Sequence, residues 1–547
     1  MPHKEQPAPA LVRAVATVGG YTLLSRVTGF GRDVLQATFI GAGAVSDAFV
    51  IAFTLPNLFR SLFAEGAVSA AFVPIFAQTL EREGQSKAKQ FADDAFAVLG
   101  AVILAFSILM IVAMPLVIFV MNPGFAKMPG QIERTTELAR IAFPYLLFVS
   151  LTSLQSGMLN AFNRYAVAAA APVLLNLTLI AALLVGVGAA ADEDGRAVVL
   201  AWGVFLAGIV QFIWLAMDCR RIGMRFTLVT PKLTPDVKRL MKRMLPVAMG
   251  AGVYQLNVVI NRGIATLVGA GAVSWIYYAD RVNLLPVGVI GVAVGVALLP
   301  LLTRQIQAGD NDAALNSQNR AIEISLLLTI PAAVGIAMLA GPITSTLFER
   351  GAFSPSDREN VAAALFAFSL GLPAYVLNKV LTPGFFGRHD TKTPVKASAV
   401  ALVTNIAFNF VLMDRFGHVG IALGTALSSW INVGILAFIL RRRGHLKADD
   451  RLKRRLAGII LAAILMIGAL WAGSVAVAAF LGPIFGASGE PSGPEATRVL
   501  TLSSLIGAGA LTFAFGALAL GAAKRSDLDA FRRKGSAPLP PAGPPAA

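Results

Sequence analysis

Windows of roughly 20 mostly apolar residues recur from one end of this chain to the other, parted by short turns rich in charge, glycine or proline. A soluble core does not need such runs. A hydrocarbon layer about 30 Å thick does, because each crossing helix rises 1.5 Å per residue. The pattern predicts about 14 transmembrane helices, at 11–40, 44–77, 90–121, 135–160, 166–190, 197–218, 238–268, 273–303, 318–345, 358–386, 395–414, 418–440, 456–482 and 498–522. The first, second, seventh and eighth are interrupted by charges and glycines. Barrel strands would alternate in short segments of about 10 residues, and these do not.

Composition agrees. Of 547 residues, 56% are apolar and 14% charged, and the mean hydropathy is +0.71. The one cysteine, Cys219, excludes an internal disulfide and argues against a cysteine-built metal site. The N-terminal "MPHKEQPAPALVRAV" lacks a short apolar region followed by a small-residue cleavage site, so it is expected to be retained rather than removed. A formal charge of +16 invites a nucleic-acid partner. In a membrane chain it is better explained by Lys/Arg-rich cytoplasmic loops against anionic lipid, and no nucleic acid is expected.

Charge also orients the chain. The basic segments "CRRIGMRFTLVTPKLTPDVKRLMKR", "RRRGHLKADDRLKRR" and "KRSDLDAFRRK" fall on one side, and the acidic "ADEDG" on the other, when the number of crossings is even and both termini are cytoplasmic. The Pro/Ala-rich tail has no apolar face to bury and is expected to be disordered.

An internal repeat organises the spans. "ATFIGAGAVS" at 37 and "ATLVGAGAVS" at 265 share eight of ten positions at an offset of 228, and each is followed by Leu-Pro (Leu55-Pro56, Leu285-Pro286). Units of six spans enter from the same side, as in transporters with parallel repeats. The expected fold is therefore an all-α polytopic membrane protein. It has two six-helix lobes related by pseudo-two-fold symmetry, plus two C-terminal helices. The expected boundaries are a cytoplasmic N-terminus at 1–10, lobes at 11–220 and 237–443 joined by a linker at 221–236, a basic loop with the last two helices at 444–523, and a tail at 524–547.

Charges inside the spans are the candidate chemistry. Arg26, Arg32 and Asp33 lie in the first, Asp47, Arg60 and Glu65 in the second, Arg262 in the seventh, Asp280 and Arg281 in the eighth, and Lys379 in the tenth. An ionised group at bilayer depth costs at least a few kcal/mol unless it faces water or a partner. These residues are expected to face the bundle interior. Ser25, Gly29 and Arg32 share one helix face, and Gly29 and Gly31 offer a point of bending. Structural readings compete: Asp33 can neutralise Arg32 or Arg26, Asp280 can pair with Arg281, and Glu65 with Arg60. Arg262 can snorkel at the outer interface, and Lys379 can serve a carboxylate. Six basic against four acidic groups leave a positive surplus, and arginine forks grip phosphate oxygens bidentately. Such a cavity suits a pyrophosphate better than a cationic drug.

"SRVTGFGRD", "GAGAVSDAF", "LPNLFRSLFAEGAVSAAFVPIF", "VSWIYYADR", "LPVGVIGVAVGVALLP" and "FFGRHDTKTPVK" closely resemble the MurJ/MviN lipid II flippases of the MOP exporter superfamily, in order over roughly 11–525. The resemblance implies two six-helix lobes with two further helices, and movement of undecaprenyl-pyrophosphoryl-MurNAc-pentapeptide-GlcNAc from the inner to the outer leaflet for peptidoglycan synthesis. It implies an arginine-lined cavity in which Arg26, Arg32, Arg60 and Arg281 meet the pyrophosphate and Ser25 meets sugar or peptide. Asp33, Asp47 and Glu65 occupy matching positions, while Asp280 and Lys379 would complete the cavity charges. Thr54 stands where some relatives carry a lysine, and Ser61 where some carry a second arginine, which lowers the cavity's charge. The alternative is another exporter of the superfamily, moving a different lipid-linked oligosaccharide or a drug.

No Walker-A string and no zinc-type cluster occurs, so a transporter and not an enzyme is expected, with no cofactor and no metal. Dependence on the membrane potential or on a coupling ion is open, with Asn405 and Asn409 as candidate ion ligands. Lipid II and membrane lipids are the expected partners of a monomeric chain, with cell-wall synthesis proteins as further candidates.

Overall fold

In the computed structural model the described residues are 8–62, 68–190, 192–227, 229–481 and 495–523. Glu65, residues 1–7 of the expected N-terminal segment and the tail at 524–547 lie outside them. Among the described residues regular structure is helical: α1 (Ala8–Ile40), α2 (Ala44–Phe59), α3 (Ser69–Met121), α4 (Gln131–Ala142), α5 (Tyr145–Ala161), α6 (Tyr165–Ala189), α7 (Glu193–Arg221), α8 (Pro235–Ala265), α9 (Ala272–Pro286), α10 (Val292–Gln307), α11 (Asn311–Met338), α12 (Ala340–Phe348), α13 (Pro355–Ser369), α14 (Leu372–Phe386), α15 (Lys392–Arg442), α16 (Asp450–Leu481) and α17 (Glu495–Ala519).

Ten helical segments among the described residues are long and apolar enough to cross a membrane, and the protein is a multi-pass membrane protein. The difference from the expected fourteen has a physical origin. α1, α2 and α8 are helices, but charge, glycine or short length keeps them below the apolarity of an ordinary span. The spans expected at 395–414 and 418–440 form one run, α15, broken at Gly417 (φ 55°, ψ −133°), a backbone conformation open to glycine without strain. Helix ends follow local rules. The Asp192 carboxylate accepts the Gly195 N–H at 3.0 Å to cap α7, whose first turn holds Glu193 and Asp194 and whose last holds Arg220 and Arg221, matching the helix dipole. Asp310 caps α11 by accepting the Ala313 N–H at 2.9 Å.

The chain forms two compact units. The first comprises residues 1–281, 347–364 and 402–424. Within it α1 packs on α6, α6 on α7, α5 on α3 and α7, α2 on α4, and α8 on α3. Phenylalanines fill the gaps: Phe72 stacks on Phe76 and Phe91, and Phe59 meets Phe106 and Phe143 edge-on. Leu109, Val112 and Leu116 of α3 stay open, as side chains facing acyl chains must.

The second unit comprises residues 282–346, 365–401 and 425–547. Its core joins α10, α11 and α14 through Leu298, Leu302, Ala321, Val376 and Val380. α16 packs on α11 and α17. Each repeat carries a widened π-type turn soon after its Leu-Pro, at residues 60–62 in the first unit and Val287–Gly291 in the second. Proline supplies no N–H to the helix ladder, which loosens the turn that follows.

Candidate functional site

The stretch Ser25 to Asp33 lies on α1, which is helical without a break. Gly29 makes room rather than a bend: a Cβ there would sit 3.1 Å from the Asn176 amide nitrogen on α6. Through that gap Asn176 Nδ2 donates to the Ser25 carbonyl at 2.9 Å, and its Oδ1 accepts from Arg32 Nη1 at 3.1 Å. One amide thus ties Ser25 to Arg32 across about two turns of α1.

Arg32 and Asp33 are both buried, and the Arg32 guanidinium reaches Asp33 Oδ1 through Nε at 3.1 Å and Nη2 at 2.5 Å. On α9, Tyr277 and Arg281 are four residues apart and share a face. Both are thereby presented to the same carboxylate. The Tyr277 hydroxyl donates to Asp33 Oδ1 at 2.9 Å, and Arg281 Nε stands 3.4 Å from Asp33 Oδ2. The Arg281 guanidinium also lies 4.6 Å from the Tyr277 ring centre, within cation–π range.

The two arginines are held differently. Arg32 has a carboxylate and an amide and is 7% exposed. Arg281 Nε is near Asp33 but makes no hydrogen bond, and 35% of its side chain is open. Coulomb attraction holds Arg281 to Asp33 while its Nε stays without a hydrogen bond and the donors of its fork lie partly open. Those donors are what bidentate recognition of an anion requires.

The remaining candidates separate. Arg26 is exposed on α1. Arg60 is half-buried and donates through Nε to Asn57 Oδ1 at 3.1 Å on its own helix. Asp280 is half-buried, and the ion pair of its neighbour Arg281 is with Asp33. Lys379 belongs to the second unit and is exposed there, its stem passing Gly291, where a Cβ would come within 2.9 Å of Lys379 Cδ. Asp47 is fully buried, and its oxygens accept the Gly271 N–H, the Ser274 N–H and the Ser274 hydroxyl, each at 2.7 Å. It fixes the start of α9, and hence the height at which Tyr277 and Arg281 are presented. Asn405 and Asn409 join Asn257 and Asn261 of α8 in a ring of carboxamide hydrogen bonds.

Two contributors escape the sequence. Tyr277 and Asn176 carry no charge and so gave no signal at hydrocarbon depth. Arg262, for which snorkelling at the outer interface was the competing reading, instead donates to Thr54 and lies 5.6 Å from the Tyr277 ring centre. The position where a lysine is missing is thus met by an arginine from α8.

These helices, with a polar cluster sunk among apolar spans, define a multi-pass transport protein. The fold is similar to an inward-facing multidrug resistance MATE family transporter of the MOP superfamily, with TM-score 0.63 and 16% identity over 77% of this chain and 94% of that one. It is similar to a lipid II flippase MurJ solved in an inward closed conformation, with TM-score 0.74 and 24% identity over 91% of this chain and 97% of that one. Both likenesses speak to the fold. The sequence goes further: the family model for lipid II flippase MurJ matches residues 36–486. A probable lipid II flippase MurJ of Rhizobium tropici is 44% identical over 84% of this chain and 86% of its own length. One from Rhizobium meliloti is 42% identical over 94% and 96%, and the lipid II flippase MurJ of Burkholderia cenocepacia is 36% identical over 84% and 89%. The chain belongs to the lipid II flippase MurJ family.

Proposed function

We propose that this protein is a lipid II flippase, carrying undecaprenyl-pyrophosphoryl-MurNAc-pentapeptide-GlcNAc from the inner to the outer leaflet of the bacterial cytoplasmic membrane by alternating access. Both termini are cytoplasmic in this reading. Family membership supports the substrate, and one observation supports the site: Arg281 is drawn to Asp33 without a hydrogen bond to it. An incoming pyrophosphate takes the partly open fork of Arg281. Asp33 stays satisfied by Arg32 and the Tyr277 hydroxyl, so loading the site strands no buried charge. Arg26 and Arg60 add long-range attraction, and Ser25, on the same face as Arg32, meets the sugar-peptide head. The surplus of arginine disfavours a cationic drug, the cargo of the alternative exporter reading.

No bond of the substrate is made or broken. The lipid tail stays in hydrocarbon, since each CH₂ drawn into a polar cavity would cost about 0.8 kcal/mol. The exposed Leu511 and Phe515 of α17 suit a wall for it. Return of the empty, cationic cavity to the inward-facing state is assisted by an interior-negative potential, worth about 2.3 kcal/mol per charge per 100 mV. Collapsing the potential in sealed vesicles should slow transport, and an unchanged rate would exclude this step.

The deciding experiment is Arg281→Ala in a flippase-depleted cell, read by outer-leaflet lipid II. Losing charge-assisted hydrogen bonds worth roughly 1.5–3 kcal/mol should weaken substrate binding about ten- to a hundredfold. Arg281→Lys should recover only part, because an ammonium lacks the fork. Normal export by the alanine variant would remove Arg281 from the site.

A further inference from the structure

We propose that the groove between the two arms of α15 in the second unit is a binding site for an anionic phospholipid. The arms lie side by side there, since residues from 393–400 and from 435–443 line one cavity of about 550 Å³. Its polar edge holds Lys396, Arg442 and Arg443. Asp390 occupies Arg443 at 2.7 Å. Lys396 and Arg442 are exposed and form no ion pair among the described residues. Its apolar wall is Val400, Ile435 and Phe438, with Val400 51% and Phe438 64% exposed.

The spacing matches a lipid. Lys396 and Val400 are four apart on one arm, and Phe438 and Arg442 four apart on the other, so each arm sets a cation and an apolar side chain on one face. One turn of helix separates the two levels by about 6 Å. A phosphodiester at the level of the cations would place the start of its acyl chains against Val400 and Phe438. A free anion would leave that wall bare, and a zwitterionic lipid would leave the positive surplus unmatched. An anionic two-chain lipid satisfies both.

The test is native mass spectrometry on the purified full-length protein in neutral detergent, titrated with phosphatidylglycerol, phosphatidylethanolamine and inorganic phosphate. Phosphatidylglycerol should bind preferentially. Lys396→Ala and Arg442→Ala should each lower its affinity roughly fivefold, at about 1 kcal/mol per cation, with phosphatidylethanolamine unchanged. Val400→Trp, at an exposed position of the groove wall, keeps both cations and should displace the lipid while the melting temperature holds. Equal binding of both lipids, undiminished binding by the Lys396→Ala/Arg442→Ala protein, or competition by phosphate at equal concentration would each overturn the site. So would preferential displacement by lipid II, which would assign the groove to the substrate route.

Discussion

Asp33 in the first unit and Glu323 in the second are both carboxylates buried among arginines, and the two are built differently. In the first, Asp33 receives a tight contact from Arg32 and a loose one from the partly open Arg281. In the second, Glu323 of α11 is 2% exposed and is bound by Arg320 of its own helix, by Arg455 of α16, and by Arg451 at 3.2 Å. Arg320 also grips Asp449, whose other oxygen caps α16 through the Leu452 N–H at 2.7 Å. Every group around Glu323 has a partner on α11 or at the start of α16, so the cluster is a clasp between those helices. Beside Asp33 the Arg281 Nε is left without a hydrogen bond. Burial and arginine content are the same in kind. What separates the two is the bonding of the carboxylate: three arginines donate to Glu323, whereas Arg281 stands 3.4 Å from Asp33 through an Nε that makes no hydrogen bond.

That contrast can be broken by substitution. Glu323→Ala should have the largest effect on stability, about 3–5 kcal/mol in thermal unfolding of the purified protein, because it strands buried Arg455 and Arg320; a change under about 1 kcal/mol would show that the clasp carries little. Arg32→Ala should cost about 2 kcal/mol, since Asp33 keeps Tyr277 and can draw Arg281 closer. Asp47→Asn should cost about 1–2 kcal/mol by weakening the cap of α9, and should lower lipid II export through Arg281's position, which Arg281→Ala would mask in the double variant. Arg281→Ala should leave stability within about 1 kcal/mol of the parent while lowering export through its roughly ten- to hundredfold weaker substrate binding. If Arg32→Ala and Arg281→Ala unfold alike, the two arginines are equivalent and the comparison fails.

The smallest effect sharpens the picture at an exposed pair. Asp390 lies between two spans, and the Thr393 hydroxyl and Arg443 hold its carboxyl below the ordinary range. A depressed carboxylate stabilises above its unfolded value, near pH 4, and that contribution is lost as pH falls through the lower folded value. Asp390→Asn should therefore lower stability by no more than about 1 kcal/mol at pH 7, and the gap should shrink as the medium is acidified below pH 4.

The membrane class and the helical character were legible because burial in lipid demands long apolar runs, which nothing else produces. Arg32, Asp33 and Arg281 were visible as charges where charges are expensive. Their partners were not. Nothing at Asn176 or Tyr277 differs from the polar residues that dot any membrane helix, and only packing puts them within reach of Arg32 and Asp33. Gly29 suggested a bend from sequence, yet α1 is continuous and the glycine admits Asn176. A missing side chain looks the same in sequence whether it frees the backbone or clears space for a neighbour.

By itself, then, the order of residues determined that the chain crosses a membrane many times, that it is internally repeated, and that a few ionised groups sit where hydrocarbon penalises them. Those are consequences of composition and period, which act locally. Which guanidinium hydrogen-bonds Asp33 and which only stands near it was decided only in three dimensions. Hydrogen bonds are directional, and the hydroxyl that shares Asp33 Oδ1 with Arg32 belongs to Tyr277, 244 residues along the chain.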